Sequence, residues 1–270
     1  MNNTFSIKRF WNYLLHDLGS ARSDSGLTLA IIGAMPVFQF FIAQAFSLVF
    51  NGQTVVMGDW GKVPAYLTAF FIALVYFPAK HYGGLTDKKQ GSDWLMLPAS
   101  ALEKWGSMLL ITCVAVPFLL VAELMLTDGL LSIIFPATYG TTAFSKIAYM
   151  MNGVWIELST PEGGLAMSWP LAFFLNWCEG VLFFTLGAIW FKKSKVGKTF
   201  LAAFILGMAI SLLSAGAMKA IGLSNLHIDN MDMAPEGFIR IMNITVWSIY
   251  AVYFVVIDLL LYLRVKTLRH

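Results

Sequence analysis

Apolar runs long enough to cross a lipid bilayer recur along the whole chain. A transmembrane helix needs about 20 predominantly apolar residues, because each residue advances the helix by only about 1.5 Å. The sequence therefore predicts an all-α, polytopic membrane protein with six transmembrane helices. The predicted spans are Leu27–Phe50, Val63–Ala79, Trp105–Leu126, Pro170–Trp190, Thr199–Ile221 and Ile241–Leu263.

An amphipathic segment precedes the first span. Apolar side chains recur there at helical spacing, at Ile7, Phe10, Trp11, Leu14, Leu15 and Leu18, and the residues that lie mostly opposite are Lys8, Asn12, His16 and Asp17. This pattern predicts a helix lying in the cytoplasmic headgroup plane, the alternative being a helix packed on the protein's own loops. We therefore expect an interfacial helix and linker over residues 1–26 and a six-helix transmembrane domain over residues 27–270.

Composition excludes an ordinary soluble domain. Hydrophobic residues make up 58% of the chain and charged residues 12%, with a mean hydropathy of +0.71. A soluble domain carries about 25% charged residues. The two cysteines lie in apolar runs and the four histidines are scattered, so we expect neither a disulfide framework nor a metal site. The net charge of +3 is small, and we expect no nucleic-acid partner.

Basic residues orient the spans. Of the 18 lysines and arginines, fourteen fall in the N-terminal segment, the loops 80–104 and 192–198, and the C-terminal tail. Because cytoplasmic loops are enriched in Lys and Arg, both ends are expected in the cytoplasm, in a bacterial cytoplasmic (inner) membrane. The longest outer loop, 127–169, contains apolar stretches at Leu130–Phe135 and Ile147–Met151, which we expect to form short helices at the outer interface.

The first cytoplasmic loop, 80–104, contains residues that predict its local structure. Pro98 disfavours helix at Leu97, and Ser100 with Glu103 has the spacing of a capping box that opens the third span. Before this break, a short helix is expected to present Trp94 and its apolar neighbours on the surface. A plain cytoplasmic turn explains the cap but does not explain such an exposed apolar cluster.

This loop resembles the first cytoplasmic loop of type-2 ABC transporter permeases. In that family, charged residues lead into Gly-Thr or Gly-Ser, then a Leu-rich stretch, then Pro-x-Ser. The positions that match are Lys89, Gly91, Ser92, Leu95, Leu97, Pro98, Ser100 and Lys104. An amphipathic helix before six spans is also the family's layout. One departure is that the longest outer loop here follows the third span, whereas the family more often elaborates the region between the fifth and sixth.

The resemblance implies the transmembrane subunit of an ABC exporter, which is not itself an enzyme. Its coupling loop would contact a separate ATPase subunit, through Lys88, Lys89, Gly91, Ser92, Trp94, Leu95, Leu97, Pro98, Ser100 and Glu103. Two copies, or one copy and a homologous partner, would form the pathway for a lipid, peptide or drug-like substrate. No cofactor is expected in this chain, while ATP and Mg are expected in the partner. Gly197-Lys198-Thr199 is not a P-loop, since Lys192 stands where the first glycine belongs.

Three acids inside apolar runs are candidates for an intramembrane polar site, because a carboxylate is costly there. Glu179 lies near Asn176 in the fourth span and is expected either to act in function or to form a structural hydrogen bond. Glu123 is expected to snorkel from the outer end of the third span. Asp258 is expected to pair with Arg264 near the inner edge.

Two other functional classes remain open. An ion-coupled carrier or small channel would use Glu179 and Asp258 as its proton or ion sites. An intramembrane enzyme is less favoured, because the sequence contains none of the common zinc-protease or serine-hydrolase motifs. The fifth span carries small residues at a spacing of four, which allows close helix packing within the chain or across a dimer. These residues are Gly207, Ser211 and Ala215.

Overall fold

The computed structural model describes residues 5–86, 91, 94, 96–143, 169–220 and 236–268. Within these ranges, residues 59, 169–172, 213–220, 236–246 and 249 are described by their backbone alone. The described residues are helical and include no β-strand, so the predicted all-α class is confirmed.

Two consecutive helices replace the expected interfacial helix, linker and first span. Helix α1, Ile7–Gly33, runs without interruption through the expected linker, and α2, Met35–Asn51, follows after a break at Ala34. Pro36 lies in the first turn of α2, where its missing N–H needs no helical partner. Gly52 ends α2 in a left-handed conformation with φ 67°. The helix is therefore interrupted inside the expected first span, at Ala34, and not before it.

The next two spans are longer than the sequence indicates. Helix α3, Asp59–His81, contains both prolines that were expected to bound it. The third span comprises α4, Ala101–Leu110, a π-helical turn at Ile111–Ala115, and α5, Val116–Ile134. Consequently the apolar stretch expected as a short interfacial helix from Leu130 is instead the end of α5. The stretch 147–151 lies outside the described residues.

The remaining helices are α6, Trp169–Trp190, α7, Lys195–Ala220, and α8, Glu236–Thr267. Only four residues separate α6 from α7, so the two helices form a tight hairpin, and Ser194 occupies a left-handed conformation with φ 52°. The expected sixth span falls within α8.

Five helical segments in the described part of the chain are long and apolar enough to cross a membrane. They are Ile7–Asn51, Trp60–Thr86, Ala101–Ile134, Phe173–Trp190 and Lys195–Leu212. By length and composition these are the helices of a membrane protein. Helix α6 packs against α3, α7, α8 and the π-helical turn, and α1 packs against α3, α4 and α5. The main core lies between these helices, around Ala73, Leu120 and Val181.

Helix α1 buries one narrow stripe of residues and exposes both polar and apolar side chains on the rest of its surface. Its buried positions recur every four residues and include Tyr13, Asp17 and Ser25. Its exposed positions include apolar side chains, with Ile7 at 70% and Trp11 at 57% exposure, and polar ones such as Lys8 and His16. A helix at a membrane surface exposes both kinds of side chain, as α1 does here.

Candidate functional site

The loop between α3 and α4 breaks and restarts as expected. Gly91, Trp94 and Met96 are helical, the chain leaves the helix at Leu97, and α4 begins after Ser100. The Glu103 backbone N–H donates to Ser100 Oγ at 3.3 Å, and the Ser100 N–H donates to Glu103 Oε2 at 2.8 Å. The predicted capping box is therefore confirmed.

Trp94 faces the protein, and the expectation that it presents apolar surface is wrong. It is only 9% exposed, and its indole N–H donates to the Tyr13 hydroxyl of α1 at 2.9 Å. Lys104 of α4 lies over the indole ring at 4.2 Å and donates to the Trp94 carbonyl at 2.7 Å. A buried indole needs an acceptor for its N–H, and Tyr13 supplies one. Among the described residues of this loop, Met96 presents an apolar side chain outward, at 80% exposure.

Glu103 joins the start of α1 to the start of α4. Besides capping its own helix, it accepts a hydrogen bond from the Ser6 backbone N–H at 2.8 Å and forms an ion pair with Arg9 at 3.0 Å. The carboxylate is fully buried, at 0% exposure. Since Ser6 and Arg9 both lie at the beginning of α1, one side chain holds this end of α1 in place.

A polar cluster that the sequence did not indicate lies between α1, α3 and α4. Asp17 accepts a hydrogen bond from the Ser107 hydroxyl at 2.7 Å and contacts His81 Nε2 at 3.2 Å. The Tyr82 hydroxyl donates to the same carboxylate at 3.5 Å, and His81 Nδ1 lies 3.3 Å from Asp24. These contacts explain why Asp17 is buried although the amphipathic pattern placed it on a solvated face.

This cluster borders a cavity of about 590 Å³. The α3–α4 loop and the beginning of α7 close its sides, and Lys195 of α7 donates a hydrogen bond to the Gly83 carbonyl. Tyr13, Asp17, Ala21 and Ser25 recur every four residues and so lie on one face of α1, a signal for a shared buried face that does not name the partners of Asp17.

Glu123 lies inside α5 and does not snorkel from its end. Helix α5 continues eleven residues beyond it to Ile134, so the expected position near an outer edge is wrong. Its Oε2 is buried without a hydrogen-bond partner, and the backbone of Gly33 lies directly against it. A Cβ added at Gly33 would lie 2.5 Å from Glu123 Oε2, so this crossing requires glycine. The Thr127 hydroxyl donates to the Gly33 carbonyl at 3.1 Å beside it.

Asp258 does not pair with Arg264, which corrects the expected inner-edge pair. The Arg264 side chain donates to the Ile189 carbonyl at 3.0 Å, while Asp258 Oδ1 is buried without a hydrogen-bond partner.

The π-helical turn is stabilised from α6. The Trp177 indole N–H donates to the Thr112 carbonyl at 3.0 Å, and the Thr112 hydroxyl donates to the Met108 carbonyl at 2.8 Å. A π turn disturbs the regular i→i−4 pairing of an α-helix, so its carbonyls become available to outside donors. Pro117, which has no N–H, lies two residues after this turn and increases the disturbance.

Asn176 and Glu179 lie one turn apart on α6 and meet two tyrosines of α8. The Tyr250 hydroxyl donates to Asn176 Oδ1 at 3.4 Å, and the Tyr253 hydroxyl donates to the Glu179 backbone carbonyl at 3.1 Å. The structure therefore joins these two predicted residues into one polar patch, which also includes two tyrosines that the sequence analysis did not single out.

A second buried polar cluster lies at the opposite end of the bundle. Asp128 accepts hydrogen bonds from the Tyr139 hydroxyl at 2.6 Å and from the Ala143 N–H at 2.8 Å. Burial and the hydrogen bond to Asp128 raise the pKa of Tyr139, so this phenol stays protonated as a donor. Lys62, 2% exposed, donates to the Thr141 carbonyl at 2.8 Å and lies 4.2 Å from the centre of the Tyr139 ring. These contacts fasten the segment after α5 onto α3.

The small residues of the fifth span lie on a helix with few neighbours. Within Lys195–Leu212 only 6% of residues are buried, and no atom lies within 4 Å of a Cβ built at Gly207. Ser211 is exposed, and the side chain of Ala215 lies outside the described part. Among the described helices, none packs on this stripe at Gly207.

Four of the predicted coupling residues lie outside the described part of the chain: Lys88, Lys89, Ser92 and Leu95. Among the described residues no group of three His, Cys, Asp or Glu side chains is arranged to hold a metal ion. No protein-family model, curated protein or solved structure matches the chain.

Proposed function

We propose that the chain is the membrane-spanning permease subunit of an ABC exporter in the bacterial cytoplasmic membrane. It crosses the membrane six times with both ends in the cytoplasm, and a separate subunit hydrolyses ATP with Mg. Two copies, or one copy and a homologous partner, enclose a pathway for a lipid, peptide or drug-like substrate. The charge distribution of the loops and the motif of the first cytoplasmic loop support this assignment.

The observation that carries the proposal is the attachment of that loop to two helices at once. A coupling element must move together with the helices that it drives. Trp94 is hydrogen-bonded to α1 through Tyr13 and held against α4 by Lys104. Glu103 ties the same two helices together at their N-terminal ends. A force applied to this loop is therefore transmitted directly to α1 and α4.

Met96 is the side chain with which to test partner binding. Purification of the chain in mild detergent with its co-expressed genomic neighbours is expected to bring an ATPase subunit with it. Met96→Asp places a charge at a side chain that is 80% exposed and apolar. If Met96 lies at the centre of the interface, the amount of ATPase recovered with the chain is expected to fall roughly tenfold. Met96→Leu is the matched control and should retain the ATPase.

Trp94→Phe tests coupling separately from binding. It keeps an aromatic ring but removes the indole N–H that contacts Tyr13. The ATPase should remain bound, and the stimulation of ATP hydrolysis by the permease should decrease. If the wild-type chain brings no ATPase along, the exporter assignment is refuted.

An ion-coupled carrier that uses Glu179 and Asp258 is the second candidate. The observation that favours it is the buried, unpartnered Oδ1 of Asp258, because an acid is kept in such a position when its protonation has a role. In proteoliposomes containing the chain alone, the carrier predicts a proton or cation flux that Asp258→Asn abolishes. The exporter predicts no such flux without the ATPase.

A further inference from the structure

We propose that Asn176, Glu179, Tyr250 and Tyr253 form a binding site for the positively charged group of an amphiphilic organic cation. The inference rests on the proposed transport function and deepens it, because it names a chemical class of substrate. It also identifies the face of α6 and α8 that meets this substrate.

The four residues lie deep in the apolar layer. Glu179 is ten residues from the start of α6, which places it about 15 Å along a helix of roughly 33 Å. Asn176 and Glu179 share one face of α6 because they are three residues apart, and Tyr250 and Tyr253 share one face of α8 for the same reason. The hydrogen bonds at 3.4 Å and 3.1 Å hold the two faces against each other.

The patch is accessible from outside the bundle. Asn176 is exposed, and the other three side chains are only half-buried. Both tyrosine hydroxyls donate to oxygen atoms of α6, and these oxygens belong to the amide of Asn176 and the backbone of Glu179. Neither bond uses the Glu179 carboxylate, for which no hydrogen bond or ion pair is found within the described ranges.

A carboxylate at this depth requires a positively charged or hydrogen-bonding partner, because hydrocarbon provides none. The nearest arginine described on α8, Arg264, donates to the Ile189 carbonyl at the far end of α6. Ile189 lies ten residues beyond Glu179 on α6, about 15 Å along the helix axis, so Arg264 does not reach the patch. Because its carboxyl has no partner within the described residues, Glu179 is available to bind a positively charged group of a ligand.

The groups around Glu179 favour an organic cation over a metal ion. Hard metal ions require several oxygen ligands, usually including more than one carboxylate, whereas this patch offers one carboxylate and one amide. No three acidic, histidine or cysteine side chains cluster for a metal within the described residues. Two phenol rings beside a carboxylate instead suit an alkylammonium or phosphonium group, since aromatic faces attract large, weakly hydrated cations. Apolar side chains elsewhere on these helices suit the apolar part of an amphiphile.

Tetraphenylphosphonium and tetraphenylborate test this site, because the two ions have nearly the same shape and opposite charges. The purified full-length chain in lipid nanodiscs is titrated with each ion by equilibrium dialysis. We expect saturable binding of tetraphenylphosphonium and only unsaturable partitioning of tetraphenylborate. Glu179→Gln, which keeps the shape of the side chain, should weaken binding of the cation roughly tenfold or more. Glu123→Gln is the matched control, since it neutralises another intramembrane acid away from the patch, and it should not alter the affinity.

Three results would overturn the proposal: no saturable binding of the cation to the wild type, equal affinity for both ions, or an unchanged affinity in Glu179→Gln. The comparison of the two ions on the wild-type chain does not depend on how any variant folds. Because the assay contains no ATPase, its failure leaves the exporter assignment intact. Conversely, the absence of an ATPase partner does not alter the expected binding of the cation.

Discussion

Replacement of Glu103 tests whether one carboxylate holds the first helix in place. The side chain is fully buried and accepts hydrogen bonds from two backbone N–H groups, of Ser6 and Ser100, each at 2.8 Å. It also pairs with Arg9 at 3.0 Å. Glu103→Ala removes all three interactions and leaves two backbone donors and one guanidinium group without this acceptor.

The expected magnitude follows from these contacts. A hydrogen bond to a charged group contributes about 1.5–3 kcal/mol, and removal of one member of a buried charge network costs about 3–5 kcal/mol. Arg9 is 39% exposed, so its ion pair contributes less than about 1 kcal/mol of this total. We therefore expect Glu103→Ala to destabilise the docked start of α1 by about 3–5 kcal/mol, and Arg9→Met by less than about 1 kcal/mol.

Hydrogen–deuterium exchange in detergent is the appropriate measurement, because it reports on α1 separately from the rest of the bundle. In Glu103→Ala, amides near the beginning of α1 should exchange at least a hundredfold faster, as about 3 kcal/mol implies. Amides in the middle of α6 should be unaffected. Arg9→Met is the control and should change exchange about fivefold or less. Equal exchange in Glu103→Ala and Arg9→Met would refute the assignment of this role to the buried carboxylate.

Two further predictions concern stability, and both are measured by thermal unfolding in detergent. Gly33→Ala should destabilise the chain by about 1–3 kcal/mol, because the new Cβ would lie 2.7 Å from the Cβ of Glu123. Gly129→Ala is its control: no atom lies within 4 Å of its Cβ position, so the substitution should be neutral or stabilise the helix by up to about 1 kcal/mol. An equal loss in both glycine variants would contradict a close helix crossing at Gly33. Asp128→Asn should destabilise the chain by about 1–3 kcal/mol. The two carboxylate oxygens of Asp128 accept hydrogen bonds from the Tyr139 hydroxyl and the Ala143 N–H, whereas an amide has only one acceptor oxygen. An unfolding temperature equal to that of the wild type would show that this cluster does not fasten the segment after α5.

Features that depend on neighbouring positions in the chain could be predicted from the sequence. The Ser100–Glu103 capping box was predicted because both partners lie within one helical turn, and its geometry is set locally. The helices themselves were predicted from the length of apolar runs. Their ends were predicted less well, since α5 continues to Ile134 where the sequence indicated a loop.

The amphipathic pattern of α1 placed most of its polar residues correctly but not Asp17. Lys8 and His16 are exposed as the pattern indicates, whereas Asp17 is buried. The burial of Asp17 depends on Ser107 and His81, which lie 90 and 64 residues away. No local pattern indicates such partners. The burial of Trp94 could not be predicted for the same reason, because its hydrogen-bond acceptor Tyr13 lies 81 residues before it.

By itself, the sequence determined that the chain is helical and apolar, which stretches form long helices, and how α4 is capped. These properties follow from periodicity, chain length and contacts within one turn. Only the tertiary structure decided which polar side chains are partnered. It joined Glu179 and Asn176 to two tyrosines of α8, separated Asp258 from Arg264, and buried Glu123 against Gly33. Hydrogen bonds and ion pairs between distant helices depend on how those helices pack, and packing is a property of the whole bundle.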